Sequence, residues 1–455
     1  MTTDTAPRDT APRRPTSTRK LNRRLLGLAV PNFFALITVP LAGLVDLAML
    51  GHLDEVSHLA GVGLASVLFN YVYWSLSFVE TGTQGVTAQA QGRKDKHELS
   101  LVLYRALALA LLMGLAVLAL SPAIRALGFS VLAGSEAAET SGRAYFDARI
   151  WAAPAVLVNL AFVGWLLGRG RSRTVLLVTL VMTSANVALD YYFIYTLGLA
   201  SRGAGIATAM AQYLGLLLYL LLLFKADRGW LTSTAGFADR ETFRRLFALN
   251  RDIMIRTLCL VSVFASFINI SAAIGTVALA ANAILINLFY LVAYAVDSFA
   301  LSLHSLAGIS KGRNDEQATG RLLSLAMAWG MVIALLAVIL LWAAPQTIFA
   351  LMTSHSDIVA AMMAYRGWLY PTILLGAVAF IYDGLFLGLT EGVILRNAML
   401  ASTLLVYTPL ALLAQQRASV SLLWAAMVLF MGARAISLGS MQKAALERCR
   451  APVTN

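Results

Sequence analysis

Apolar residues along this chain fall into long blocks separated by short polar breaks. Counting runs interrupted by charge, or by clusters of Gly and Pro, predicts twelve spans: roughly 25–51, 59–90, 99–120, 145–168, 174–197, 203–224, 246–275, 277–310, 319–343, 358–388, 395–414 and 418–440. Each has the roughly 20 residues that, at about 1.5 Å apiece, cross a bilayer's hydrocarbon. Lipid offers no partner for backbone groups, so a spanning segment without barrel alternation is helical. The pattern therefore predicts an all-α integral membrane protein, with tilt or overhang where a span exceeds the minimum.

The polar breaks alternate in charge. Arg93, Lys94 and Lys96 follow span two, Arg169, Arg171 and Arg173 span four, Lys225, Arg228, Arg240, Arg244 and Arg245 span six, and Lys311 and Arg313 span eight. The intervening loops carry chiefly Arg125, Arg143, Arg202 and Arg417, and the first holds Asp54 and Glu55 instead. By the positive-inside rule both termini are cytoplasmic, which places the chain in a cell (inner) membrane. Residues 1–24, rich in Thr, Pro and Arg, read as a disordered cytoplasmic tail, and the segment after them is too long for a cleaved signal peptide. Residues 225–245 read as a cytoplasmic linker, either plain or with an interfacial amphipathic helix around Phe243 and Phe247, and 441–455 as a second tail.

The two halves match at a constant offset of 220 residues. Gly92, Arg93 and Asp95 recur as Gly312, Arg313 and Asp315, Leu59, Ala60 and Phe69 as Leu279, Ala280 and Phe289, and Gly164, Leu167 and Gly168 as Gly384, Leu387 and Gly388. Each repeat holds six spans, an even number, so the repeats run in the same direction. Two six-helix lobes, 25–224 and 246–440, are expected around a pseudo-two-fold axis along the membrane normal, with a central cavity between them.

Composition narrows the function classes. The chain is 59% hydrophobic and 13% charged, far from a soluble domain. Its 35 Lys and Arg exceed its 23 Asp and Glu, but they mark topology, so nucleic acid is not the partner. Cys259 and Cys449 sit at different depths and cannot pair. His52, His58, His97, His304 and His355 are scattered, no HExxH or GxxxxGK[ST] occurs, and no cofactor is implied. An intramembrane enzyme would need a nucleophile and base or a metal at one depth. Transport driven by an ion gradient fits better.

Carboxylates inside the spans are the candidate chemistry, because a charge at mid-membrane costs about 2.5–3.5 kcal/mol even on lenient scales. Span one carries Asp46 together with Pro31 and Pro40, which free backbone carbonyls and make the helix bendable. Rise per residue places Asp46 and, in span five, Asp190 within about 8–10 Å of the outer ends, with Asn186 one turn deeper and Thr208 of span six at similar depth. These are oxygen ligands for a hard cation, and two nearby carboxylates raise each other's proton affinity. Deeper candidates for a substrate or proton path are Glu80 and Asn159. In the second lobe Arg256 and Asp297 approach one depth and are expected to pair, while Asp383 has no evident partner. Phe33, Phe34, Tyr71 and Trp74 are candidate cavity aromatics suited to adaptable recognition.

These residues resemble the multidrug and toxic compound extrusion (MATE) family, in particular its DinF-like branch, over about residues 22–440. The resemblance rests on Thr87-Ala88-Gln89-Ala90 with Gly92, Gly164-Trp165-Leu166-Leu167-Gly168, Asn186 to Asp190, and Asn250-Arg251-Asp252-Ile253. It implies a two-lobe transporter, most simply a monomer in lipid, exporting small cationic or amphiphilic compounds against protons or sodium. It also carries ion-coupling roles onto Asp46, Asn186, Asp190 and Thr208, which are metal ligands only if sodium couples, and a hinge role onto Pro31. A span-seven Glu that binds sodium in the NorM-like branch has no counterpart in Leu258 to Ile270, and Glu80 stands where DinF-like members more often carry Arg. A lipid or polysaccharide flippase on a similar scaffold would want a strongly basic cavity, whereas these intramembrane charges are mostly acidic.

Overall fold

The computed structural model describes residues 17–53, 55–131, 135–226 and 235–449. Among them are twelve helices long and apolar enough to span a membrane: α1 (Thr18–Gly51), α2 (Val56–Arg93), α3 (Lys96–Ala119), α4 (Glu136–Gly168), α5 (Ser172–Thr196), α6 (Ala200–Lys225), α7 (Arg240–Ile274), α8 (Thr276–Gly312), α9 (Glu316–Ala343), α10 (Ser356–Gly388), α11 (Gly392–Gln416) and α12 (Val420–Glu447). Short helices Ser121–Val131 and Pro345–Met352 follow α3 and α9. The chain is an all-α, multi-pass membrane protein.

The repeat extends to the backbone. Val56 and Thr276, Lys96 and Glu316, Glu136 and Ser356, Ser172 and Gly392, and Ala200 and Val420 begin paired helices, each pair 220 residues apart. Asp95 and Asp315 cap α3 and α9 by accepting from Glu98 N and Ala318 N at 3.0 and 2.9 Å. The left-handed turns also recur, at Lys94 (φ 62°) and Asn314 (φ 55°) and at Gly170 (φ 72°) and Thr390 (φ 53°). Gly164 lies against the Glu80 carbonyl and Gly384 against that of Ala300, so a methyl at either would overlap backbone. Each lobe thus crosses its second and fourth spans at a glycine.

Several boundaries differ from the sequence reading. Residues 18–24, assigned to a tail, form the first turns of α1, and α12 runs past residue 440 to Glu447. Residues 240–245 are the start of α7 and not a separate interfacial helix: Asp239 caps it through Thr242 N at 2.9 Å, and no Gly or Pro interrupts it before Ile274. A helix satisfies its own backbone in water and lipid alike, so hydropathy alone does not mark its end. Residues 1–16, 227–234 and 450–455, also assigned to tails and linker, lie outside the described residues, as does Asp54.

With an even number of spans, the start of α1 and the end of α12 lie on one face, called here the terminal face. Hydrogen bonds that join the lobes gather in the half nearer that face. Asn32 Nδ2 donates to Ser302 Oγ (3.1 Å), Gln84 Nε2 to Leu301 O and Ser305 Oγ (both 3.0 Å), and Gln89 Nε2 to Gly388 O (3.1 Å). Ser305 Oγ donates in turn to Leu167 O at 2.7 Å, and Trp329 Nε1 to Asn22 Oδ1 at 2.9 Å. The main apolar core runs through both lobes, whereas the far half of lobe one has its own cluster around Leu50, Phe69, Phe146 and Ile194. The lobes are thus tied together toward the terminal face.

Candidate coupling and substrate sites

Asp46 and Asp190 meet inside lobe one. α1 packs along α5, and the two carboxyls face each other within hydrogen-bonding range. Asn186, one turn before Asp190, donates from Nδ2 to Asp190 Oδ2 at 2.9 Å. Oδ1 of each aspartate is buried and receives no hydrogen from any donor residue. Two carboxyls can hydrogen-bond to one another only when one carries a proton. Immediately after Asp190 the backbone widens into a π-helical segment, Tyr192–Thr196, a feature frequent at functional sites.

Thr208 donates to Ala204 O of its own helix at 2.9 Å and has no hydrogen bond to the other three among the described residues. Arg149, which the sequence reading missed, completes the pocket. Its Nη1 donates to Tyr145 Oη at 2.7 Å, its guanidinium lies 4.6 Å from the Phe69 ring centroid, and its field reaches both aspartates without a direct ion pair. The depth arithmetic that found Asp46 and Asp190 would have found it, since Arg149 lies within a few residues of the outer end predicted for span four.

Other candidates have local roles. Asn159 Nδ2 ties α4 to α6 through Gln212 O (2.9 Å) and Gln212 Oε1 (3.1 Å). Glu80 follows the break at Ser77 that divides α2; its carboxyl has no hydrogen bond or ion pair among the described residues and lies near Tyr219 in the lobe-one interior. Pro31 is buried within α1, which continues as one helix through Pro31 and Pro40. Phe33 and Phe34 pack edge to face with centroids 5.4 Å apart, and Phe34, Tyr71 and Trp74 are exposed. His304 is a fully buried packing residue beside Gly85.

In lobe two the expected pairing is overturned. Arg256 bonds Asp383, not Asp297, and Asp383, expected to be unpaired, also accepts from Nη2 of Arg434 at 2.6 Å. Arg434 is fully buried between the Phe380 and Phe430 rings, 5.3 and 5.5 Å from their centroids. Depth measured from helix ends misled here. The turn after α10 is recessed into the protein, its carbonyls at Gly388 and Leu389 taken by Gln89 Nε2 and Lys311 Nζ, while α7 and α12 overhang it. Asp383, only five residues from the end of α10, is therefore as deep as Arg256 and Arg434.

A model of the family described as MatE matches residues 31–192 and 253–413, the greater part of both lobes. The chain belongs to the MatE family. It is 34% identical over 422 residues to the DNA damage-inducible protein F of Escherichia coli (strain K12), covering 92% of each chain. It is 25% identical over 362 residues to the multidrug resistance protein NorM of Vibrio cholerae, covering 76% of this chain and 77% of NorM. The fold of this MatE protein matches a crystal structure of MATE in the bent conformation with a TM-score of 0.86 at 21% identity, over 96% of this chain and 100% of the other. It also matches an outward-facing multidrug resistance MATE family transporter of the MOP superfamily, with a TM-score of 0.85 at 20% identity over 96% and 99%.

Proposed function

We propose that this MatE protein is a secondary active multidrug efflux transporter, not an enzyme, exchanging cationic or amphiphilic compounds for protons by alternating access. It would sit in the cell inner membrane as a monomer with the terminal face in the cytoplasm, so that the opposite face is outward. Relatives named as multidrug resistance proteins support the class, and the basic loops on the terminal face support the orientation.

The observation that carries the reading is the meeting of the Asp46 and Asp190 carboxyls in the far half of lobe one. In the outward-facing state a proton entering this pair discharges the pocket, weakens its hold on an organic cation and shifts the bend available to α1 at Pro31. The cation leaves and the proton stays. After the lobes rock, the proton departs to the cytoplasm and restores the negative charge, so proton and cation exclude one another through the charge of one lobe. Sodium is the rival coupling ion. The proton is preferred because two carboxyls that meet can share one, while a sodium ion would take the same carboxyls together with the Asn186 amide and Thr208 hydroxyl oxygens.

Proteoliposomes given only a pH gradient or only a sodium gradient test this. Export of a cationic dye should follow the pH gradient alone, and Asp46→Asn and Asp190→Asn should abolish drug-dependent proton flux while protein remains folded in the membrane. Export driven by sodium alone, or normal flux in either variant, would overturn the proton reading.

A further inference from the structure

Asp297 is the carboxylate that the lobe-two ion pairs leave over. Arg256 and Arg434 both point at Asp383, and Asp297 has no hydrogen bond or ion pair among the described residues although it lies in the field of Arg256. It is only partly buried. Four and five residues nearer the terminal face on α8, Leu301 and Ser302 are held by Gln84 and Asn32 of lobe one. Those bonds, called here the floor, tie the lobes together, with Asp297 about 6–7 Å above them along the helix.

Tyr294 and Tyr290 continue the same face of α8 upward at three and seven residues from Asp297. Tyr294 lies close to Asp297, and Tyr290 to Tyr294 and to the exposed Tyr71 of lobe one. Arg256, whose side chain keeps 14% of its exposure, bonds Asp383 through Nη2 alone, which leaves Nη1 and the buried Nε without a partner. A self-contained charge quartet would close by bonding Arg256 to Asp297, and the structure does not close it. One unspent anion and one unspent donor set therefore stand side by side under a tyrosine wall.

We propose that this floor is a substrate subsite for amphiphilic zwitterions, with the ammonium on Asp297 against the tyrosine faces and the carboxylate on Arg256 Nη1. It deepens the efflux reading by naming a substrate class. It rests on that reading for transport, while binding needs no gradient, so the two can fail separately.

The test is equilibrium binding to the purified full chain, by fluorescence anisotropy, of a rhodamine bearing a free carboxylate and of its methyl ester. The free acid should bind about tenfold more tightly than the ester, the factor of one charge-assisted hydrogen bond. Arg256→Gln should remove that preference while keeping ester affinity, since Arg434 still holds Asp383, and Asp297→Asn should weaken both dyes about tenfold. Gly320→Ala, at a helix position where a methyl meets nothing within 4 Å, should keep the preference and serves as the folded control. Equal binding of the two dyes by the unmodified protein, or a preference that survives Arg256→Gln, would overturn the subsite. If pH-driven export fails while the preference holds, the antiport reading falls and the subsite stands.

Discussion

Asp383 holds two guanidinium groups on a single carboxylate oxygen, and that unequal sharing fixes what each substitution costs. Removing Asp383 strands Arg256 and Arg434 together, one of them fully buried. Removing Arg256 leaves the Arg434–Asp383 bond of 2.6 Å intact. Breaking a buried ion pair from one side costs about 3–5 kcal/mol, so Asp383→Leu should lower the thermal midpoint of the purified protein far more than Arg256→Met, and the two variants melted side by side decide it. Equal losses would mean that Asp383 is not the hub. The sequence exposed the price of burying Asp46 and Asp190 because depth could be counted from two helix ends at one outer face. It misassigned Asp383 because α10 stops at a recessed turn whose carbonyls Gln89 and Lys311 satisfy, and nothing local to residues 384–391 announces partners some 80 to 300 positions away.

At the scale of helices, the two prolines of α1 have the clearest consequence. Pro31 and Pro40 leave the carbonyls of Gly27 and Leu36 without an intrahelical donor, yet α1 continues through both. Asp46 lies at the far end of this weakened helix and Asn32, a seam residue, directly follows the first proline, so a bend at Pro31 would move the proposed coupling pair relative to the seal. Pro31→Ala restores a backbone bond and should leave the melting temperature equal or higher while dye export falls at least several-fold. Parallel melting and transport measurements check this, and an unchanged export rate would remove the hinge from the mechanism. The twelve helices themselves were legible because lipid admits so few alternatives. Their overhangs at Thr18, Arg240 and Glu447 were not, since helical hydrogen bonds persist where hydropathy ends.

For the whole molecule, the repeat supplies a common scaffold and the charged sites break its symmetry. At the 220-residue offset Asp46 corresponds to Ser266 and the neighbourhood of Asn186 to Tyr407, and Ser266 Oγ donates to Tyr407 Oη at 3.0 Å. Lobe two therefore has a neutral hydroxyl pair where lobe one has its acids, and a sequence match at fixed offset could show the scaffold but not which lobe kept the chemistry. The alternating access proposed above asks that the terminal seal open, and α2 and α8 approach closely there at Gly92 and Gly312. A side chain at Gly312 would overlap the Gln89 carbonyl, whereas one at Gly320 meets nothing within 4 Å. Gly312→Leu should therefore pry the lobes apart at the terminal face. With Cys259 and Cys449 replaced by serine, a cysteine reporter introduced as Ser305→Cys, at a residue 1% exposed, should react with maleimide at least tenfold faster in Gly312→Leu than in the parent. The Gly320→Leu protein should label at the parental rate. A reporter that stays protected in Gly312→Leu would show that the lobes part elsewhere, because a wedge at the crossing can leave Ser305 shielded only if the seal does not hinge there.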